Sequence, residues 1–122
     1  MPPSQADRVR HILTTIAQIE RALAGKVYAD LVADVVLCAA VERFLERMSE
    51  ASRYIPDAAK ELETSINWAQ LADLGNRLRH AYHSVDPEIV WRIATTQIAP
   101  LKTVVEKIMR DEEPSQAPRS NR

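Results

Sequence analysis

Residues 71–90 read LADLGNRLRHAYHSVDPEIV, and this segment contains the end of one predicted helix and the start of the next. Leucines recur at positions 71, 74 and 78, which is the three- and four-residue spacing of an apolar helix face. The pattern ends before Asp86, Pro87 and Glu88, which are an N-capping residue, a proline suited to the first helical position and an acid in the first turn. We therefore predict one helix from about residue 67 towards Tyr82 and another beginning at Asp86.

The helical period continues towards the N-terminus. An apolar stripe over residues 7–23 predicts a first helix, with Asp7 as its N-cap and Gly25 placed to end it. A second stripe predicts a helix over about residues 29–54. Pro56 follows, and it either ends this helix or begins a short one through residue 62.

The helix that begins at Asp86 keeps its apolar spacing to Ile108, and Pro100 inside it predicts a kink. The sum is an all-α fold, an antiparallel bundle of four long helices with room for one short extra helix. We expect the helical domain to span residues 7–110. Residues 1–6 and 111–122 are poor in apolar side chains and contain prolines, so we expect disordered tails there.

Composition excludes several classes of protein. The chain has 122 residues with 16 Lys and Arg against 17 Asp and Glu, so it is not a strongly basic nucleic-acid coat. Two glycines cannot furnish a glycine-rich phosphate loop, and a single cysteine excludes an internal disulfide. No secretory signal or bilayer-spanning apolar stretch is evident. We expect a cytoplasmic protein that does not associate with membranes.

The chemistry-bearing side chains concentrate on one face of the predicted helix over residues 67–82. On an ideal helix Asn76, Arg77, His80 and His83 lie opposite the leucines, and Arg79 points between the two faces. Histidine transfers protons near neutral pH and arginine binds phosphate, so the set suits phosphoryl chemistry. The alternative is a solvated helix face with an ion pair between Asp73 and Arg77.

A metal site is not expected here. His80 and His83 have a spacing that places both imidazoles on one helix face, but the sequence shows no cysteine or close acidic residue as a third ligand. We therefore expect no metal and no cofactor.

The segment NRLRHAYHSVD resembles the signature of the HepT-like branch of the HEPN superfamily. That signature ends a helix with arginine-asparagine, three residues, histidine, any residue and tyrosine, followed by valine or isoleucine and aspartate. The residues in register are Asn76, His80, Tyr82, Val85 and Asp86. The resemblance extends over about residues 7–110.

The resemblance implies a dimer, or a higher oligomer, with a metal-independent endoribonuclease site in a cleft at the interface. It implies that His80 is the general acid and base and that Asn76 supports it. It also implies a toxin that acts on RNA beside a nucleotidyltransferase antitoxin of the MntA type. That partner would block the site by transferring AMP to Tyr82.

The chain departs from the signature at one position. The motif arginine belongs five residues before His80, where this sequence has Gly75. Arg77, on the same face as His80, or Arg79 is a candidate for the missing guanidinium. The alternative is a catalytically silent binding module, in which Gly75 instead allows close approach of two helices. The sequence leaves both interpretations open.

Overall fold

A computed structural model of the protein describes residues 5–80 and 85–111. Its regular secondary structure is entirely helical, which confirms the all-α prediction. The helices are α1 (Gln5–Leu23), α2 (Tyr28–Ala33), α3 (Val35–Ser52), α4 (Asp57–Glu61), α5 (Trp68–His80), α6 (Pro87–Thr96) and α7 (Ile98–Asp111). Helix thus extends slightly into both predicted tails, whose remaining residues, 1–4 and 112–122, lie outside the described ranges.

One hydrophobic core joins the longer helices. α1 packs against α3 and α7, and α3 packs against α5. The predicted apolar stripes supply side chains with almost no exposed surface, among them Ile12, Ile16, Leu45, Met48, Leu71, Leu74, Ile93 and Leu101. The leucine face of α5 is therefore fixed inward against α3, which leaves the opposite face outward. Among the described helices, none is both long and apolar enough to cross a membrane.

The helix predicted over residues 29–54 is two helices, and Asp34 separates them. Its backbone is extended, with φ −117° and ψ 98°. One carboxylate oxygen accepts hydrogen bonds from the backbone N–H groups of Val36 and Leu37, both at 3.1 Å. These are N–H groups that the first turn of a helix cannot satisfy internally. The prediction of one helix was wrong because the apolar stripe continues across the break.

The C-terminal helix also divides. The predicted start is confirmed, because the Asp86 carboxylate accepts a hydrogen bond of 2.9 Å from the Glu88 N–H. The predicted kink is instead a break at Gln97, three residues before Pro100. Pro100 has no N–H to donate to the carbonyl of Thr96, and its ring crowds that carbonyl. The interruption therefore falls one turn before the proline.

Two further predictions concern the ends of α1. Gly25 has a φ of +73°, a left-handed conformation that favours glycine, so its role in ending α1 is confirmed. The prediction of Asp7 as N-cap was wrong, because α1 already includes Gln5. Asp7 lies in the first turn, where acids favour the helix dipole, and its carboxylate pairs with Arg10 at 2.6 Å.

Candidate functional site

The exposed face of α5 carries most of the predicted site residues. Asn76 and His80 are four residues apart, so their side chains are neighbours on the helix surface, and both are exposed. Within residues 5–80 and 85–111, neither side chain has a hydrogen-bond partner. Tyr82 and His83 lie outside the described residues. Asn76 and His80 thus present an amide and an imidazole to solvent at the end of α5.

The two candidate arginines have different surroundings. The Arg77 guanidinium lies 4.0 Å from the Asp73 carboxylate on the same helix, and both side chains are more than half exposed. The Arg79 guanidinium instead donates a hydrogen bond of 3.0 Å to Glu50 on α3. An exposed pair at 4.0 Å holds its cation weakly. Arg77 therefore keeps its charge available beside His80, while Arg79 is directed towards α3.

Gly75 is buried where α5 crosses α3. A Cβ atom at this position would lie 2.5 Å from the Ser49 Cβ and closer still to the Ser49 hydroxyl oxygen. That hydroxyl donates a hydrogen bond of 2.8 Å to the Leu71 carbonyl, which fixes the serine between the two helices. The structure therefore leaves no room for any side chain at position 75, and the missing arginine corresponds to a close helix contact.

A groove of about 710 Å³ lies beside this end of α5, between α1 and α3. Four arginines line it: Arg8, Arg43, Arg47 and Arg79. The Arg8 guanidinium lies over the ring of Tyr54, 3.6 Å from its centroid. Because the lining includes Arg79, the groove reaches the residue next to His80.

No pattern in the sequence predicted this groove. Arg43, Arg47 and Glu50 are spaced by four and three residues, so they share one face of α3. That face was visible in the sequence as charged surface. Its approach to Arg8 on α1 was not, because it depends on how the two helices pack.

The family assignment rests on most of the chain. A family model described as ribonuclease HepT-like matches residues 12–108. The chain belongs to the HepT-like ribonuclease family. The match includes all of α5, so the resemblance carried by Asn76 and His80 is confirmed as a family relationship.

Individual relatives agree with this assignment. A probable ribonuclease HepT of Thermococcus cleftensis is 33% identical over 110 residues, which cover 90% of this chain and all of the relative. A putative RNase of Caldanaerobacter subterraneus is 29% identical over 85% of this chain and 93% of its own. A putative RNase of Methanocaldococcus jannaschii is 34% identical over 69% of each chain. No solved structure gives a significant match.

Proposed function

We propose that this HepT-like protein is a metal-independent endoribonuclease whose cleavage depends on His80. The observation that carries the proposal is the grouping of an exposed imidazole, amide and guanidinium on α5, in a chain of this ribonuclease family. These groups have complementary capacities. His80 transfers protons, and Arg77 binds a phosphate and stabilises its negative charge. Asn76 orients the His80 ring or the phosphate by hydrogen bonding.

The reaction proceeds by attack of the ribose 2′-hydroxyl on the adjacent phosphorus. A neutral His80 imidazole accepts the hydroxyl proton as the new P–O2′ bond forms. The P–O5′ bond then breaks, and the leaving 5′-oxygen takes a proton from an imidazolium. The products are a 2′,3′-cyclic phosphate and a free 5′-hydroxyl. Arg77 stabilises the charge that develops on the phosphate in the transition state.

A symmetric dimer supplies both protonation states. If two α5 faces meet, two copies of His80 and of Arg77 lie in one cleft, so one imidazole acts as base and the other as acid. Analytical ultracentrifugation at tens of micromolar tests this arrangement. We expect a dimer or a higher oligomer, and a protein that is monomeric throughout this range contradicts it.

The biological setting that we propose is a toxin–antitoxin pair in the cytoplasm. The partner is a nucleotidyltransferase antitoxin of the MntA type, which transfers AMP to Tyr82 and so adds a negatively charged phosphate that competes for Arg77 or Arg79. Mass spectrometry after co-expression with a neighbouring nucleotidyltransferase gene tests this proposal. We expect one AMP adduct that disappears in Tyr82→Phe, and an adduct that survives this substitution places the modification elsewhere.

One observation favours a second candidate function. The close contact of Gly75 with Ser49 leaves no space for the motif arginine, so this chain is alternatively a silent module that binds its nucleotidyltransferase partner without cutting RNA. The two functions differ in one measurable respect. A nuclease cleaves RNA and loses this activity when His80 is replaced, whereas a binding module cleaves no RNA with or without His80.

The experiment is RNA cleavage by purified protein in the presence of EDTA. We expect His80→Ala to lower the rate by about a hundred- to ten-thousand-fold, the usual contribution of a placed proton-transfer group. Arg77→Ala should lower it comparably, whereas Arg92→Ala, purified in parallel, controls for contaminating nuclease and for loss of one exposed arginine. RNA with 2′-O-methyl groups should resist cleavage. Equal cleavage by all variants, or none by the wild type, rejects the nuclease in favour of the binding module.

A further inference from the structure

We infer that the groove between α1 and α3 binds the backbone of single-stranded RNA, with Arg8 and Arg47 as phosphate ligands and Tyr54 as a stacking surface. This inference rests on the proposed function, because it names where the RNA lies outside the cleavage site. It adds residues from α1 and α3 to a site that the sequence placed on α5 alone.

The charge balance of the groove is positive once its ion pairs are subtracted. Three carboxylates also line it, namely Asp7, Glu46 and Glu50. Each of them already has an arginine partner: Arg10 at 2.6 Å, Arg43 at 3.3 Å and Arg79 at 3.0 Å, respectively.

Two groove arginines are left over. Among the described residues, neither Arg8 nor Arg47 has a carboxylate within the 4.0 Å of an ion pair. Two guanidinium groups therefore face the groove with their charge uncompensated. Guanidinium groups bind phosphate through paired donors, which makes an anionic backbone the ligand that matches them.

An aromatic ring accompanies these charges. The Tyr54 side chain is 47% exposed even though the Arg8 guanidinium lies 3.6 Å from its ring centroid. Exposed aromatic rings beside a basic groove are the arrangement by which proteins hold single-stranded nucleic acids, since every base has a face that stacks. The stacked guanidinium of Arg8 is itself a planar surface for a base.

The lining favours RNA over a protein partner. Apart from Tyr54 and Ala51, every residue that lines the groove is charged or a histidine. The centres of protein interfaces are depleted in charged residues, so this composition is unfavourable for a docked protein. This composition suits RNA, which carries a negative charge at every nucleotide.

The location connects the groove to the proposed chemistry. Arg79 enters the groove through its hydrogen bond with Glu50, and the next residue is His80. A strand lying along Arg8 and Arg47 therefore comes within one residue of His80 along α5.

The test measures binding of a fluorescein-labelled 12-nucleotide oligouridylate by anisotropy in a His80→Ala protein, so that the probe stays intact. Arg8→Ala with Arg47→Ala is compared with Arg21→Ala with Arg92→Ala, which removes the same charge from exposed positions outside the groove. Arg21 lies 13 residues from Arg8 on α1, or about 20 Å along the helix. Circular dichroism and thermal unfolding verify that both proteins are folded.

We expect the groove variant to raise Kd roughly 10- to 100-fold, and the control variant to leave it within about twofold. The slope of log Kd against log salt should fall by about 1.4, which corresponds to two lost single-strand phosphate contacts. Tyr54→Leu should raise Kd about tenfold, whereas Tyr54→Phe, which keeps the ring, should not. In protein with His80 intact, the groove variant should raise KM and leave kcat unchanged.

Three outcomes separate this inference from the proposed nuclease. Equal Kd and salt slope for the groove and control variants overturn the groove while leaving His80-dependent cleavage intact. Weakened binding in the groove variant, with no cleavage by the wild type, supports the groove and rejects the nuclease. Conversion of an oligomer to monomers by the groove substitutions identifies the surface as an interface between copies of this chain, which overturns RNA binding there.

Discussion

The contact between Gly75 and Ser49 predicts a specific cost for the smallest side chain. In Gly75→Ala the new methyl group would lie 2.5 Å from the Ser49 Cβ. Rotating the serine hydroxyl does not relieve this overlap, because the Cβ atom itself is too close. The helices must therefore move apart, which stretches or breaks the hydrogen bond from Ser49 to the Leu71 carbonyl.

The expected change in the free energy of unfolding is the balance of two costs and one gain. Overpacking of a core contact costs about 1–3 kcal/mol. Loss of the bond between Ser49 and the Leu71 carbonyl adds about 1 kcal/mol. Alanine regains about 1 kcal/mol over glycine in helix propensity. We therefore expect Gly75→Ala to lower the free energy of unfolding by about 1–3 kcal/mol, which is a fall in Tm of roughly 4–12 °C for a domain of this size.

A second substitution makes the test specific. Ser49→Gly removes both crowding atoms, and the methyl group introduced at position 75 would then meet the Cα of residue 49 at 3.8 Å, an ordinary contact. The loss of unfolding free energy in the double variant should therefore be about 1–3 kcal/mol smaller than the sum of the losses in the two single variants. Ser49→Ala is the matched control, since it removes the hydroxyl but keeps the Cβ atom, and it should give far less relief.

The assay is urea unfolding followed by circular dichroism, with Tm as a second measure. A Gly75→Ala protein that is as stable as the wild type, or more stable, refutes the packing argument. So does a coupling energy near zero between positions 75 and 49.

The remaining predictions concern stability and pH. Asp34→Ala removes the acceptor for two N–H groups at the start of α3 and should cost about 1 kcal/mol in urea unfolding. Arg79→Ala should change stability by less than about 0.5 kcal/mol, because its bond to Glu50 is solvent-exposed. Burial raises the pKa of Glu42 above its ordinary value of 4.5, so the folded state holds this proton more tightly and stability falls as pH rises through the window above 4.5. Glu42→Gln should therefore be more stable than the wild type at pH 7, with an advantage that shrinks below pH 4.5 in pH-dependent unfolding.

Periodicity was sufficient to predict the helices and their buried faces. The spacing of the leucines in α5 and the cap at Asp86 are local features, and the structure has both. The breaks at Asp34 and Gln97 were harder to predict from the sequence. Each depends on a side chain or a ring competing with backbone hydrogen bonds, while the apolar stripe runs on undisturbed.

The candidate site likewise has one part that the sequence predicts and one part that it does not. Asn76, Arg77 and His80 share a helix, so the sequence alone places them together. The groove joins Arg8 to Arg47 across two helices, and the distance between them in the chain gives no sign of that approach. Sequence patterns therefore group the proposed catalytic residues on α5 but do not predict the groove between α1 and α3.

Packing and the proposed catalysis make competing demands on α5. The inner flank of the helix must come close enough to α3 for the Ser49 hydroxyl to reach the Leu71 carbonyl, and that approach excludes a side chain at position 75. A guanidinium beside His80 is still compatible with the fold, because position 77 lies one turn before the histidine on the solvent side. An arginine at position 77 instead of position 75 satisfies both demands. Gly75 is therefore explained by the close contact between α5 and α3, and loss of nuclease chemistry does not follow from it.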